Sequence, residues 1–523
     1  MPSEESSATD PRPLLPGWGW VSLAVILVFV YGRGLASDPL RWEEPRRALV
    51  AMEMIHRGDY VVPRLLGEPY LNKPPAQSWA IALLSGLDAR RVGPLSVRLP
   101  TLLAVAGIAV LLWRLGTSSR AGPDPLPALV FLTFGILPQY GRPGEIDLLF
   151  TFWVTAALAA FEWGRRRGTP ALQWAGSQGL VGLGVLTKGL APLFFHPPVL
   201  AVTWRRREVR FAPLAFAGGL LLLLAVVAAW VVPYARLGPA LALGDRLVAE
   251  VAQRTVASGG SDALRHAVTY PLVLLGAAAP WSLVTLALLR PRARATLRGL
   301  VSDPWRALCG AVGLWAVVVF AFVPGTLPRY LVPALPAAAV LVAAVLRRVD
   351  RPRDVPWLWV GLGVVWLVAL PGVARERLSP LPPADAAVLT VSTTLLGLLA
   401  LGVGRVLART SGVAFAVLLA AGLLYGLAYG GVAEARTAER YRAFEEAAAD
   451  LAPLVRPDVP LVVQPGTDRR FTWPLAHRLD RLLVERPPEG PHDIVGAVGP
   501  GPPPGRLVRE SGGFALWRAD RRR

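Results

Sequence analysis

Two adjacent carboxylates, Glu43 and Glu44, lie in a long polar stretch of an otherwise apolar sequence. Residues 38–79 are rich in arginine and contain Lys73, which two prolines follow. A pair of carboxylates in such a loop can supply a general base and a group that positions it. Acidic residues beside Pro45 are also typical of a helix start, and composition alone favours that simpler interpretation.

The two lysines are the second unusual feature, because Lys73 and Lys188 stand out in a chain whose other basic residues are arginines. Both lie beside proline or glycine at a predicted membrane edge. An ammonium group is a compact point charge that suits a phosphate, and Pro74 favours an extended backbone at Lys73. Alternatively, each lysine side chain extends toward the lipid headgroups.

Further polar positions stand at the ends of apolar runs. Asp147 opens such a run, and since a carboxylate that faces lipid is costly, we expect it to face a cavity. A helix cap is the simpler alternative for Asp147. Arg329 and Tyr330 lie together in a short polar segment, residues 324–330.

Metal ligands and nucleotide-binding loops are not indicated. The five histidines have no metal-ligand spacing, and the sequence has no P-loop and no dinucleotide glycine pattern. The single cysteine, Cys309, excludes an intramolecular disulfide. We therefore predict no metal site and name no cofactor.

Apolar segments must position these polar groups. Hydrophobic residues make up 53% of the chain and charged residues 17%, whereas soluble proteins carry about 25% charged residues. Several apolar runs reach the roughly 20 residues that cross a bilayer. We therefore predict a polytopic α-helical membrane protein, whose net charge of +19 reflects basic inside loops rather than nucleic-acid binding.

The predicted domain organisation has three parts: a disordered cytoplasmic tail (1–16), a transmembrane domain (17–431) and a soluble α/β domain (432–523). Run length predicts about thirteen spans. They are placed at 17–35, 94–113, 125–140, 147–163, 172–187, 190–204, 211–233, 268–289, 307–323, 330–346, 356–373, 385–404 and 412–431.

Charge predicts the orientation of these spans. With the N-terminus inside, every predicted inside loop is basic, as the positive-inside bias requires. Loops 36–80 and 234–266 fall outside but are also long and basic, so we expect amphipathic helices and a functional role there. The second loop contains Arg254 and Arg265.

The C-terminal region falls outside because the number of spans is odd. It opens on a helix-like stretch, ERYRAFEEAAADLAPLV. Short runs with β-strand character follow, namely VPLVVQ, RLLVE, DIVGAV and FALWRA. These runs predict a small α/β domain.

Several segments, taken in order, resemble the bacterial relatives of protein O-mannosyltransferases, a family that includes the lipid A aminoarabinose transferases. EEPRRA at 43–48, MEMIHRGDYVVP at 52–63 and GEPYLNKPP at 67–75 resemble motifs of the family's first outside loop. Later segments also resemble the family: RLP at 98–100, GEIDLLFTFW at 144–153, LTKGLAP at 186–192, AAPW at 278–281 and LPRYLVPALPA at 327–337.

The resemblance implies an inverting membrane glycosyltransferase of the C type (GT-C) that uses a polyprenyl-phosphate-linked sugar. In the implied mechanism Glu43, with Glu44 beside it, deprotonates the acceptor. The leaving phosphate is stabilised by cations, for which Lys73 and Arg46 are the matching positions. Asp147 shapes the acceptor side. Further donor-site candidates are Tyr70, Lys188, Arg254, Arg265, Arg329 and Tyr330.

Three residues depart from the family pattern. Glu43 stands where the family usually has Asp, Arg47 where it usually has Tyr, and Asn72 where the aminoarabinose transferases often have an acid. The change at Asn72 counts against a metal site there and against aminoarabinose as the sugar.

We therefore predict sugar transfer from an undecaprenyl-phosphate carrier to a lipid, glycan or protein acceptor on the outer face of the cytoplasmic membrane. Membrane lipids are expected partners, and nucleic acid is not. One rival is a transporter or flippase of lipid-linked sugars, although transporters usually carry ionisable groups near mid-membrane and internal repeats. The other is a family member that binds the carrier without turnover, which a large separation of Glu43 from Lys73 and Asp147 would favour.

Overall fold

The computed structural model describes residues 19–118, 122–206, 209, 211–237, 260–279, 281–284, 299–323, 326–347, 434–498 and 503–520. The predicted spans at 356–373, 385–404 and 412–431, the N-terminal tail and Arg254 lie outside these ranges.

Helices account for most of the described residues before 348. They are α1 (Gly19–Ile26), α2 (Glu44–Arg57), α3 (Ala76–Leu84), α4 (Pro94–Leu115), α5 (Leu126–Leu132), α6 (Leu137–Gly141), α7 (Ile146–Arg167), α8 (Ser177–Lys188), α9 (Pro197–Arg205), α10 (Pro213–Leu237), α11 (Gly260–Ala277), α12 (Pro304–Phe322) and α13 (Leu335–Leu346). Short π and 3-10 turns extend several of them, including Leu27–Tyr31, Ala171–Gly176, Ala191–Phe195 and Pro328–Ala334.

Five helical segments among the described residues are long and apolar enough to cross a membrane. They are Pro94–Leu115, Ile146–Arg167, Pro213–Leu237, Pro304–Phe322 and Pro328–Leu346. Helix α10 exposes large apolar side chains, such as Leu214 at 90% and Leu221 at 67%, as a surface in contact with lipid tails would. The total of thirteen spans stays a prediction.

The predicted span at 125–140 is not one continuous helix. It divides into α5 and α6, with Gly135 between them. The Gly135 N–H donates to the carbonyl of Ala279 at 2.6 Å, and the Ile136 N–H donates to Ala277 at 3.2 Å. These bonds to another segment replace the bonds of a continuous helix, and the apolar composition of the run gives no indication of the break.

The C-terminal unit, defined here as the described residues from 434 onward, contains a four-stranded sheet and two helices. The helices are α14 (Glu434–Leu451) and α15 (Arg469–Leu479). The strands β3 (Leu461–Val463), β4 (His492–Ala497), β6 (Phe514–Ala519) and β5 (Arg506–Ser511) are adjacent in that order, with β3 parallel to β4 and the other pairs antiparallel.

Three of the four runs with predicted strand character form strands. The fourth, RLLVE, contributes an isolated bridge from Val484 to Val462. Strand β5 was not predicted, because its RLVRES sequence is polar and its residues are mostly exposed at the edge of the sheet.

One hydrophobic core joins the C-terminal unit to the first polar loop. Leu49 and Met52 of α2 belong to the same buried cluster as Leu475 of α15 and Phe514 of β6. The residues predicted as a separate soluble domain therefore share their core with helix α2.

Candidate active site

Helix α2 begins directly after Glu43. Glu44 lies in its first turn and Pro45 follows, which are the residue types that favour a helix start. The helix ends at Arg57, and Gly58 follows as the C-cap with a φ of 62°, which suits a residue without a side chain. The helix-start interpretation thus describes the backbone, while the two carboxylates have very different surroundings.

Glu44 is fully buried and bound on every side. Arg98 donates to its two carboxylate oxygens at 2.8 and 3.0 Å. The backbone N–H groups of Gly144 and Arg41 donate at 2.6 and 2.8 Å. Burial alone would raise the pKa of Glu44, but the charge and hydrogen bonds of Arg98 hold that pKa below its usual value. A substrate cannot reach this carboxylate without breaking these contacts.

Arg98 extends the same network into the preceding loop. Its guanidinium also donates to the backbone carbonyls of Asp38 at 2.8 Å and Pro39 at 2.7 Å. Arg98 therefore fixes the chain on both sides of Trp42 to helix α4. Arg98 was not among the predicted site residues, because a single sequence does not show that two residues 54 positions apart are in contact.

Glu43 is accessible. Its side chain is 42% exposed and pairs with Arg46 one helical turn later, at 2.5 Å. Of the two adjacent carboxylates, Glu43 is thus the one that a molecule from outside the protein can contact.

A small pocket lies beside this pair, between α2, α3 and the loop that joins them. Three cations line it, Arg46, Arg47 and Lys73. Tyr70, Gln77 and Ser78 add polar groups, and the remaining lining residues are Val50, Pro63, Pro74, Pro75 and Ile146. Arg46 therefore contacts Glu43 and also forms a wall of a cationic pocket, a combination that suits a phosphate.

Glu53 shapes the loop that carries Tyr70 and Lys73. Its buried carboxylate accepts the N–H groups of Leu66 and Gly67 at the turn between strands β1 (Arg64–Leu65) and β2 (Glu68–Pro69). The Tyr70 N–H then donates to Pro63 at 2.7 Å and closes the loop. Burial raises the pKa of Glu53 despite these bonds and the nearby Arg57.

A second cluster forms around Asp147 and Lys188. Their charged groups are 2.5 Å apart, and both side chains are largely buried. The Lys188 ammonium also lies 5.0 Å from the ring of Phe150 and 5.6 Å from the ring of Tyr330. Arg329 lies 5.9 Å from the same Tyr330 ring. Three polar segments that are distant in the sequence thus meet at one place.

The buried pair Arg47–Glu145 lies between the two clusters. Its charged atoms are 2.8 Å apart. Burial raises the pKa of Glu145, which Arg47 partly offsets. The charge of Arg47 also acts on Tyr70 and Asp147, so this residue connects the pocket to the Asp147 cluster. Neither Arg47 nor Glu145 was among the predicted site residues.

Arg265 lines neither the cationic pocket nor the cluster around Asp147 and Lys188. It is exposed on α11, and its neighbour His266 instead contacts Thr326 at 2.9 Å. No group of three potential metal ligands occurs within the described residues.

Comparison with known proteins finds similarity to glycosyltransferases that use lipid-phosphate-linked sugars. Residues 72–232 match the family described as dolichyl-phosphate-mannose-protein mannosyltransferase. An undecaprenyl phosphate-alpha-4-amino-4-deoxy-L-arabinose arabinosyl transferase of Edwardsiella ictaluri is 30% identical over 363 residues, which cover 66% of this chain and 64% of that protein. A second such transferase, from Pseudomonas fluorescens, is 28% identical over 380 residues, which cover 67% of this chain and 59% of that protein. The chain thus spans less than two thirds of these relatives.

The structural comparison covers nearly the whole chain. The crystal structure of ArnT from Cupriavidus metallidurans bound to undecaprenyl phosphate has a TM-score of 0.73 at 19% identity, covering 96% of this chain and 98% of that one. The fold is therefore that of a polytopic helical membrane protein. These similarities confirm the resemblance to the protein O-mannosyltransferases and the lipid A aminoarabinose transferases that the ordered motifs predicted.

Proposed function

We propose that this protein is an inverting glycosyltransferase that moves a sugar from an undecaprenyl-phosphate carrier to a lipid, glycan or protein acceptor. One observation carries the proposal: an accessible carboxylate, Glu43, is paired with an arginine that lines a cationic pocket containing Lys73 and Tyr70. Relatives named as undecaprenyl-phosphate arabinosyl transferases support the donor class.

In the proposed reaction Glu43 accepts the proton of an acceptor hydroxyl. The acceptor oxygen attacks the anomeric carbon on the face opposite the phosphate, and the bond from that carbon to the phosphate oxygen breaks. The electron pair leaves with polyprenyl phosphate, and Lys73 and Arg46 stabilise the charge that develops there. The sugar is transferred with inversion.

Arg46 links the two halves of this reaction. A phosphate that enters beside Lys73 competes with Glu43 for the Arg46 guanidinium, because both partners are anions. Donor binding therefore draws Arg46 from Glu43 and leaves the carboxylate available as a base. Glu44 holds the start of α2 in place through Arg98, so we assign it a positioning role.

The Asp147 cluster forms the second part of the proposed site. Lys188 is neutralised by Asp147, and Tyr330 and Arg329 lie beside it. We assign this cluster to the acceptor side. Arg254 remains a donor-site candidate by resemblance, whereas the exposed position of Arg265 gives no support to such a role.

The proposed orientation places this site at the outer face of the cytoplasmic membrane, with the N-terminus inside and about thirteen spans. The buried core that α2 shares with α15 supports one feature of this orientation. Because the two helices are in contact, the first polar loop and the C-terminal unit must lie on the same side of the membrane.

The test is transfer of label from polyprenyl-phosphate-linked sugars to whole-membrane acceptors, with wild type compared with Glu43→Gln. Glu68→Gln is a matched control, because Glu68 lies in the same loop and pairs with Arg486 at 2.8 Å. We expect transfer by wild type and Glu68→Gln and a loss of at least a hundredfold in Glu43→Gln. Equal transfer by all three would remove Glu43 from the base role. Binding of donor without transfer by wild type would support the non-catalytic or transport alternatives instead.

A further inference from the structure

The backbone that presents Glu43 adopts an unusual conformation. Trp42, the residue before it, has φ of 53° although it carries a side chain. L-residues other than glycine rarely adopt this left-handed region, and they keep it only where the surroundings impose it. The contacts around Trp42 therefore bear directly on where the Glu43 carboxylate lies.

Tyr441 makes such a contact from the other end of the chain. The Trp42 N–H donates to the Tyr441 hydroxyl oxygen at 3.1 Å, across 399 residues. Tyr441 lies on α14 and is 5% exposed. A tyrosine of the C-terminal unit thus holds the peptide group next to the candidate base.

Tyr441 is itself fixed in position. The guanidinium of Arg470 lies 5.2 Å from its ring centre, and Asp468 accepts from the Arg470 Nε at 2.8 Å. Phe444 packs edge-on against the same ring, with the centroids 6.0 Å apart. The hydroxyl oxygen therefore has a defined place from which to bind the loop.

Glu43 lies between two anchors. Before it, Trp42 is bound to Tyr441; after it, Glu44 is bound to Arg98 and Gly144 of the membrane domain. The turn around Trp42 and Glu43 is also closed locally, because the Glu44 N–H donates to the Arg41 carbonyl at 3.0 Å and the Arg41 N–H donates to the Glu44 carboxylate at 2.8 Å. The bond to Tyr441 adds the direct contact to the Trp42 peptide, which adjoins Glu43.

We propose that Tyr441 is a positioning residue for Glu43, so that the C-terminal unit completes the active site. This inference rests on the proposed function, in which Glu43 is the base. A carboxylate displaced by about 1 Å can lose up to a hundredfold in rate, whereas Tyr441 is not among the residues that line the pocket with Lys73.

The experiment measures kcat and the donor KM of the full-length protein for wild type, Tyr441→Phe and Ser511→Ala. Phenylalanine keeps the ring contacts and removes only the hydroxyl. Ser511→Ala is the control, because it removes a 2.7 Å hydrogen bond to Asp450 on the same helix, away from the loop. We expect kcat to fall about tenfold to a hundredfold in Tyr441→Phe, with the donor KM unchanged and with Ser511→Ala equal to wild type.

The outcomes separate this inference from the proposed function. Unchanged kcat in Tyr441→Phe, with transfer lost in Glu43→Gln, overturns the inference alone. Full transfer by Glu43→Gln overturns the base assignment and this inference together. If Tyr441→Phe fails to fold, Arg470→Lys provides the measurement, because it loosens the Tyr441 ring and keeps its hydroxyl. A fall in kcat at constant KM then supports the role of Tyr441, and an unchanged kcat overturns it.

Discussion

Glu43 and Glu44 are adjacent residues of one type whose surroundings give them separate tasks. Glu44 is enclosed by Arg98 and two backbone N–H groups, while Glu43 is 42% exposed beside Arg46. A buried carboxylate whose oxygens all have hydrogen-bond partners holds the surrounding backbone in place. An exposed carboxylate next to a cationic pocket can exchange a proton. The two roles differ because α2 begins between these residues. Glu44, in the first turn of the helix, points into the interior, while Glu43, directly before the helix, lies at the edge of the pocket.

Glu44 leads to a prediction for stability and its pH dependence. In Glu44→Gln the buried Arg98 loses its counter-charge, which costs about 3–5 kcal/mol, so the thermal midpoint in detergent should fall at pH 7. The folded pKa of Glu44 is below its unfolded value. Its contribution is therefore complete above the unfolded value of about 4.3 and is lost as pH falls through the folded value.

The measurement is the difference in thermal midpoint between wild type and Glu44→Gln from pH 7 to pH 3. We expect this difference to shrink on acidification. Glu53 and Glu145 have raised pKa values, so they change stability in the opposite direction. Glu53 is present in both proteins and cancels, whereas Glu145 cancels only in part because the charge of Glu44 contributes to its raised pKa. A difference that stays constant with pH would show that folding does not shift the pKa of Glu44.

At the scale of elements, helix ends bring the polar groups together. Asp147 lies in the first turn of α7, and Lys188 in the last turn of α8. A carboxylate suits a helix N-terminus and an ammonium suits a C-terminus. The two helices pack side by side, and this packing places the two charges in contact at one end of the bundle.

The Asp147–Lys188 pair predicts a strong, non-additive effect on stability. Lys188→Met removes the hydrogen-bonded cation from buried Asp147 and leaves only the charges of Arg329 and Arg47 nearby, which costs up to about 3–5 kcal/mol. In the double variant Asp147→Asn, Lys188→Met no unpaired charge remains, so we expect most of that loss to be recovered. Thermal unfolding of the single and double variants in detergent measures this coupling. Additive losses would mean that the two groups do not interact in the folded protein.

Sequence patterns predict those elements that local composition determines. Apolar runs long enough to span a membrane indicate helices such as Pro94–Leu115 and Ile146–Arg167, and the ordered motifs indicated the family. The ion pairs Arg98–Glu44 and Arg47–Glu145 join residues 54 and 98 positions apart. One sequence contains no information on which charges meet, because the packing of other elements decides it. The same reason explains why the hydrogen bond from Trp42 to Tyr441 was not foreseen.

At the scale of the whole molecule, the C-terminal unit and the first polar loop share their stability. The inner face of the sheet and helix α15 pack on α2, with Phe471 stacked on Phe514 at 3.9 Å between ring centres. The opposite face of the sheet has its own smaller cluster, which includes Ile494 and Trp517. Substitutions on the two faces should therefore affect α2 differently.

Leu475→Ala and Ile494→Ala test this coupling. Both residues are buried, at 0% and 5% exposure, and each truncation should cost about 2–5 kcal/mol. Leu475 belongs to the cluster that contains Leu49 and Met52 of α2, and Ile494 does not. We therefore expect faster hydrogen exchange of the backbone amides of residues 44–57 in Leu475→Ala only. Equal acceleration in both variants would show that α2 responds to the stability of the sheet in general, whereas protection unchanged in both would show that α2 is held by the membrane helices alone.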